Sequence, residues 1–264
     1  MSSPAAPEAG PDPKATRESA GPLRAAMLSI GSFLFKYRNL LFPLLFVPLA
    51  AILPPGFLRG DSPVNTTLDA IGVLVVIAGL ALRSLVVGLA YIKRGGKDKK
   101  VYADALVTEG IFAHARNPLY LGNILILLGL ALVHGSPWLL LVAFPFLVFC
   151  YLCITVAEEE FLARRFGPAY DAYCRRVPRF IPEVRGLGGT IRSMDFDWRR
   201  VIEKEYGTHF GAVTGILALL AWEEVRRHGW RAEIPDVARS LGIWALALTL
   251  YVTARILKKR KILR

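Results

Sequence analysis

The chain has 264 residues, 54% of them hydrophobic, and a formal net charge of +12. A soluble domain carries about 45–50% apolar residues, and the excess here gathers into runs approaching the roughly 20 residues that cross a bilayer as a helix. The basic residues lie at the ends of those runs and no groove-reading motif is present, which points to an anionic membrane surface and argues against nucleic acid.

Residues 1–25 are rich in Ala, Pro, Ser and Gly, lack apolar periodicity and read as a disordered segment. A polar stretch this long ahead of the first apolar run does not resemble a cleaved signal peptide. The first run, Leu40 to Ile52, is short and is interrupted by Pro43 and Pro48, which membrane helices tolerate better than soluble ones. The second run is Ala70 to Ile92, the third Leu119 to Val133 and the fourth Trp138 to Ala157. His134-Gly135-Ser136-Pro137 predicts a tight turn that makes a hairpin of the third and fourth. The fifth run, Phe210 to Trp222, is the weakest and reads as either a span or a re-entrant segment; the sixth is Leu241 to Leu257. These runs predict an all-α, multi-pass transmembrane protein with five to six membrane helices, with a core over 26–185 and an extension over 186–264 that carries two further apolar helices. Cys150 and Cys153 form a C-x-x-C, but it lies inside the fourth run, where thiols ionise poorly and stay inert.

Short loops rich in Lys and Arg face the cytoplasm. With six spans, Lys36 and Arg38, the Lys93–Lys100 loop, the Arg164–Arg185 segment and the Lys258–Arg264 tail all fall on one side. Arg226, Arg227, Arg231 and Arg239 would lie opposite, although Glu223, Glu224, Glu233 and Asp236 are mixed among them. The expected setting is a bacterial inner membrane with the functional side towards the cytoplasm.

Two stretches on that side carry chemistry. In Glu109-Gly110-Ile111-Phe112-Ala113-His114-Ala115-Arg116-Asn117-Pro118-Leu119-Tyr120-Leu121-Gly122, Pro118 suits the first turn of the third helix and Asn117 its N-cap. A helix N-terminus of this kind can hold a carboxylate. The other stretch begins Glu158-Glu159-Glu160-Phe161-Leu162 and continues through Phe166-Gly167-Pro168-Ala169-Tyr170 to Tyr173, where Gly167-Pro168 should break the helix; Pro178-Arg179-Phe180-Ile181-Pro182 follows. Carboxylates at the membrane edge of a helix are costly unless solvated or paired, and Glu160 reads as the solvated one. Arg83, inside the second run, is expensive there: it either snorkels to the interface or pairs with Glu158, Glu159 or a ligand carboxylate. His114, His134, His209 and His228 have no metal-ligand spacing and predict no metal; His114 is either a proton acceptor near the site or a surface residue.

Together these stretches resemble the isoprenylcysteine carboxyl methyltransferase family and the related phospholipid methyltransferases. The shared pattern is an Arg-Asn-Pro-x-Tyr segment (Arg116–Tyr120), a helical hairpin, the Glu158-Glu159 pair, Phe-Gly-x-x-Tyr-x-x-Tyr ending at Tyr173, and a Pro-Arg-Phe-Ile-Pro end, covering about residues 70–182. Asn117 stands where many members have His, a variant common among bacterial relatives. The resemblance implies S-adenosylmethionine bound at the cytoplasmic face by His114, Ala115, Arg116, Asn117, Pro118, Tyr120 and Leu121, by Glu158, Glu159, Tyr170 and Tyr173, and by Phe180, Ile181 and Pro182, with Arg83, Arg116, Glu158 and Glu159 carrying the reaction. Glu158 and Glu159 would bind the cofactor's ammonium or ribose, Arg116 a carboxylate, and Tyr120 would cover the adenine or methionine part; against this stand solvated helix-end charges, a basic anchor and an interfacial aromatic.

The implied activity is methyl transfer to a lipid or other apolar acceptor, foremost a carboxylate, which needs no general base. Phospholipid N-methylation and thiol S-methylation are alternatives. A sterol-type reductase using a nicotinamide cofactor is more distant, and a non-catalytic membrane scaffold stands apart from all of these. An acceptor arriving from the bilayer keeps its tail in hydrocarbon. Residues 186–264 read equally as packing, a partner surface or part of substrate access.

Overall fold

The computed structural model describes residues 21–56, 63–89, 105–228, 234–260 and 262. The basic loop Lys93–Lys100 and residues 1–20 of the expected disordered segment lie outside the described residues.

Helix α1 spans Pro22–Ile52 and α2 Pro63–Leu89; a 3₁₀ turn at Gly110–Ala113 precedes α3, Pro118–His134. A π turn at Leu139–Ala143 feeds α4, Phe144–Phe166; α5 (Pro168–Arg176) and α6 (Leu187–Arg192) are short; α7 is Trp198–His228 and α8 Ile234–Lys259. Among the described residues there is no strand. Among the described residues four helical stretches are long and apolar enough to span a bilayer: Pro22–Ile52, Pro63–Leu89, Leu139–Phe166 and Ala238–Lys259, with Pro118–His134 a shorter apolar helix. The protein is an all-α, multi-pass membrane protein.

Helix α1 starts at Pro22, inside the 1–25 segment expected to lack structure, and runs well ahead of the first apolar run. The cause is tertiary: Arg24 pairs with Glu160 at 2.7 Å, and Phe42 stacks on Tyr151 with ring centroids 4.3 Å apart. The α2–α3 contact is made by glycines. A Cβ on Gly129 would lie 2.5 Å from the Gly72 carbonyl oxygen, and one on Gly79 2.8 Å from that of Gly122. Small residues let membrane helices approach closely where no hydrophobic drive brings them together. Gly129→Ala is therefore expected to cost about 1–3 kcal/mol through overpacking against α2 backbone. A detergent-denaturation midpoint equal to wild type would refute that packing.

At the far end of the hairpin Gly135 adopts φ +71°, which closes the predicted turn after α3. His134 is buried beside it; its Nε2 lies 2.9 Å from the Ala50 carbonyl and its Nδ1 accepts from the Ser136 N–H. The fifth apolar run is the middle of a continuous helix, Trp198–His228, which is not among the stretches long and apolar enough to span a bilayer. Helix α7 runs from Glu205 beside Arg83 on α2 to Gly215 against Leu130 on α3 and Leu219 in the main core. Helix α8 returns along it, with Phe210 on Tyr251 at 4.7 Å and Lys258 back at Glu203. The C-terminal ends of α2, α4 and α8 and the N-terminal ends of α3 and α7 thus meet at one end of the bundle, with the basic residues of α4, α5 and α8.

Candidate active site

At that end, the segment before α3 is fastened to the segment after α5 by backbone. Arg116 N–H donates to Pro178 O at 2.9 Å, Asn117 N–H to Arg179 O at 3.0 Å, and Glu183 N–H to His114 O at 2.8 Å. Gly167, at φ +52°, and Pro168 stop α4 and turn the chain into α5, as their residue types require. Helix α5 then lies beneath the loop, and the Tyr173 hydroxyl donates to Phe112 O at 2.7 Å. His114 is neither a surface residue nor a free proton acceptor: it is 7% exposed, with Nδ1 2.7 Å from Glu183 O and Nε2 2.9 Å from Thr190 Oγ1. Both ring nitrogens are occupied, one by the segment that leads into α6 and the other by α6 itself. Asn117 does occupy the N-cap position of α3, but its side chain does not cap the helix. Instead its amide donates to Glu159 Oε1 and Arg179 O, each at 3.3 Å.

The three successive glutamates point apart, as residues about 100° apart on a helix must. Glu158 faces a cavity, 3.7 Å from Arg38 of α1. Glu159 is gripped by Arg179, with contacts of 2.8 and 3.2 Å, and by Arg116 at 3.2 Å. Glu160 is not solvated as expected; it is 17% exposed and pairs with Arg24 and Arg164, both at 2.7 Å. Arg116 also donates to Cys174 Sγ at 2.7 Å. Burial works against the Arg116 charge, but Glu159 foremost, then Cys174 and Tyr170, raise its pKa above the ordinary value. Burial, and after it the charge of Glu159, pushes the Tyr170 phenol up; burial likewise raises Tyr173, so both stay neutral donors.

Arg83 pairs with neither Glu158 nor Glu159. Its Nε and Nη2 meet the two oxygens of Glu205 on α7 at 2.8 and 3.0 Å, and Nη1 donates to Asn123 Oδ1. The pair is dry, at 6% and 1% side-chain exposure. The sequence expectation named the nearest carboxylates in the motif, whereas the partner lies at the head of the fifth run.

A cavity of about 830 Å³ opens at this end of the bundle. Of the expected site residues, Arg83, Arg116, Asn117, Pro118, Tyr120, Glu158, Tyr170 and Tyr173 line it. Glu159 stands behind Arg116, outside the lining, and Ala115 is fully buried in the loop. His114, Leu121, Phe180, Ile181 and Pro182 do not line it either, and Ile181 is 80% exposed. Sequence reasoning missed Arg38, Asn123, Tyr151, Lys204, Tyr206 and Lys258, all in the lining. Arg38 was legible only as a membrane-edge cation; the signal available was a charge inside what proves to be α1. Phe35, Pro43, Leu106, Val107 and Leu162 give the cavity an apolar wall. Buried Arg116 Nε has no hydrogen-bond partner among the described residues. Among the described residues no three His, Cys, Asp or Glu side chains converge as metal ligands.

Comparison with known proteins gives the same region a family. The family model described as phospholipid methyltransferase matches residues 69–169. The cobalt-zinc-cadmium resistance protein CzcN of Cupriavidus metallidurans is 30% identical over 175 residues, 64% of this chain and 76% of that protein. Protein-S-isoprenylcysteine O-methyltransferase of Xenopus laevis is 28% identical over 125 residues, 46% of this chain and 43% of its own length. That of Schizosaccharomyces pombe is 32% identical over 80 residues, 30% of this chain and 34% of its own. The chain thus spans less than half of these two methyltransferases. No solved structure matches.

Proposed function

The chain belongs to the membrane methyltransferase family that joins isoprenylcysteine carboxyl methyltransferases and phospholipid methyltransferases, and from that premise we propose that it methylates an apolar, membrane-partitioned acceptor, foremost a carboxylate, using S-adenosylmethionine. One observation carries the reading. The Arg116–Tyr120 segment, Glu158 and the Tyr170–Tyr173 pair, far apart in sequence, line a single cavity with an apolar wall.

The lining fits the cofactor's chemistry. A volume of about 830 Å³ lies within the roughly 300–1,000 Å³ of small-molecule pockets. The cofactor carries an ammonium, a sulfonium, a carboxylate and an aromatic base. Glu158 suits the cationic groups; Arg116 Nε, without a partner among the described residues, suits a carboxylate; the Tyr120, Tyr170 and Tyr173 rings suit the base. When bound, S-adenosylmethionine supplies a methyl activated by positive sulfur.

The protein's part is to bind, orient and exclude water. Glu159 is a positioning residue: it holds Arg116, Asn117 and Arg179 together. The Phe35, Pro43 and Leu162 wall would keep an acceptor's apolar chain out of water. A carboxylate acceptor attacks as it is and needs no base. An amine acceptor needs one, and Glu158, the one carboxylate in the lining among the described residues, would be taken up by the cationic cofactor. That favours the carboxylate over the amine reading. We place this end of the bundle at the cytoplasmic face of a bacterial inner membrane, from the clustering of basic residues there.

The test is a titration of the purified protein with S-adenosylhomocysteine and, in parallel, with NADPH. Saturable binding of the first alone is expected. Binding of NADPH alone would replace this reading with a reductase; binding of neither would leave only a scaffold.

A further inference from the structure

The cavity has a second wall that the family region does not supply. Lys204 and Tyr206 come from the start of α7 and Lys258 from the last turn of α8, all beyond residues 69–169. Their placement is fixed. The dry Arg83–Glu205 pair fastens α7 to α2, and Tyr251 of α8 packs on Tyr206 at 5.2 Å and on Phe210 at 4.7 Å.

Among the described residues the lining holds Arg38, Arg83, Arg116, Lys204 and Lys258 and one carboxylate, Glu158. Four of the cations have an acidic partner: Arg38 has Glu158, Arg83 has Glu205, Arg116 has Glu159 and Lys204 has Glu203 at 2.9 Å. Lys258 has none among the described residues. Its Nζ donates to Glu203 O at 3.0 Å and stands 5.4 Å from the Tyr206 ring centroid. An ammonium has three N–H donors, so Lys258 keeps donors for a ligand. A cationic cofactor adds further positive charge, and the remaining space then calls for an anion.

We propose that the α7–α8 pair forms the acceptor-recognition wall, with the Lys258 and Lys204 ammonium groups taking an anionic group, carboxylate or phosphate, of an amphiphilic acceptor whose chain lies on the apolar wall. The inference rests on the methyltransferase reading for the word acceptor; the anion site itself does not. It gives the C-terminal extension a role in specificity. The competing role for Lys258 is a basic membrane anchor, like its neighbours Lys259 and Arg260.

The experiment uses the full chain in phosphatidylcholine nanodiscs and measures equilibrium binding of labelled dodecanoate, dodecyl phosphate and neutral dodecanamide, corrected for empty nanodiscs, together with S-adenosylhomocysteine affinity. Wild type is expected to prefer an anionic probe over the amide by about tenfold or more, the worth of one charge-assisted contact. Lys258→Gln should remove most of that preference, Lys204→Gln part of it, and Lys258→Arg should keep it, all with S-adenosylhomocysteine affinity unchanged. The better-bound anion names the headgroup. Equal binding of anion and amide by wild type overturns the proposal, as does an unchanged preference in Lys258→Gln. Loss of S-adenosylhomocysteine affinity in step with the probes would assign the lysines to the cofactor and overturn it too. If wild type binds an anionic probe but no S-adenosylhomocysteine, the methyltransferase reading fails and the anion site stands.

Discussion

Arg83→Met is expected to destabilise the protein by about 3–5 kcal/mol, because it takes a bidentate guanidinium away from the buried Glu205 carboxylate. The side chains are 6% and 1% exposed, and the guanidinium meets both Glu205 oxygens. Asn123 loses its donor as well. Glu205→Met should cost a similar amount from the other side. The double variant, Arg83→Met with Glu205→Met, should recover most of the loss, since an apolar pair of similar volume avoids the desolvation penalty of both charges. The readout is the midpoint of detergent-induced unfolding for the four proteins of the cycle. Single and double variants that lose stability additively would mean that the two groups do not depend on each other. Loss of stability should also loosen α7 from α2, and with it the cavity wall that holds Lys204.

How far the amino-acid sequence foretells this arrangement depends on whether a feature is local. The start of α3 at Pro118, the turn at Gly135 and the break at Gly167-Pro168 are local, set by φ restriction and missing donors, and each stands where the residue types put it. The first, second, fourth and sixth apolar runs lie in the four stretches long and apolar enough to span a bilayer. Pairings across the bundle are not local. Arg83 and Glu205 stand 122 positions apart, and no periodicity ties them. The hydrophobic pattern also understates α1, because Pro22–Asn39 is helical through contacts with α4 such as Arg24 to Glu160 and not through its own apolarity. Phe180–Pro182 mark the opposite error. The motif around them sits at the site through backbone pairing of Pro178 and Arg179 with Arg116 and Asn117, while Ile181 points away. A motif residue was legible; the direction of its side chain was not.

The Glu158-Glu159 pair allows the roles of two adjacent carboxylates to be separated. Glu158→Gln keeps the shape of a side chain that lines the cavity but removes its charge, so cofactor affinity should fall by one charge-assisted contact, about 1.5–3 kcal/mol or roughly 10–150-fold. Arg38, 3.7 Å from Glu158, also loses its counter-charge, which adds repulsion towards a cationic ligand. Glu159→Gln acts at one remove. Glu159 touches Arg116, Arg179 and Asn117 and stands outside the lining, so its loss frees Arg116 rather than removing a ligand contact. Affinity for S-adenosylhomocysteine should then fall less than in Glu158→Gln, while methyl transfer at saturating cofactor falls more, because a misplaced Arg116 costs orientation. Neither carboxylate carries the fold as Arg83–Glu205 does, so unfolding midpoints should move little in Glu158→Gln. Titration with S-adenosylhomocysteine and single-turnover transfer, run on both variants, give the two numbers needed. Identical profiles for the two variants would mean that the carboxylates act as one unit, and an unchanged affinity in Glu158→Gln would remove it from the cofactor site.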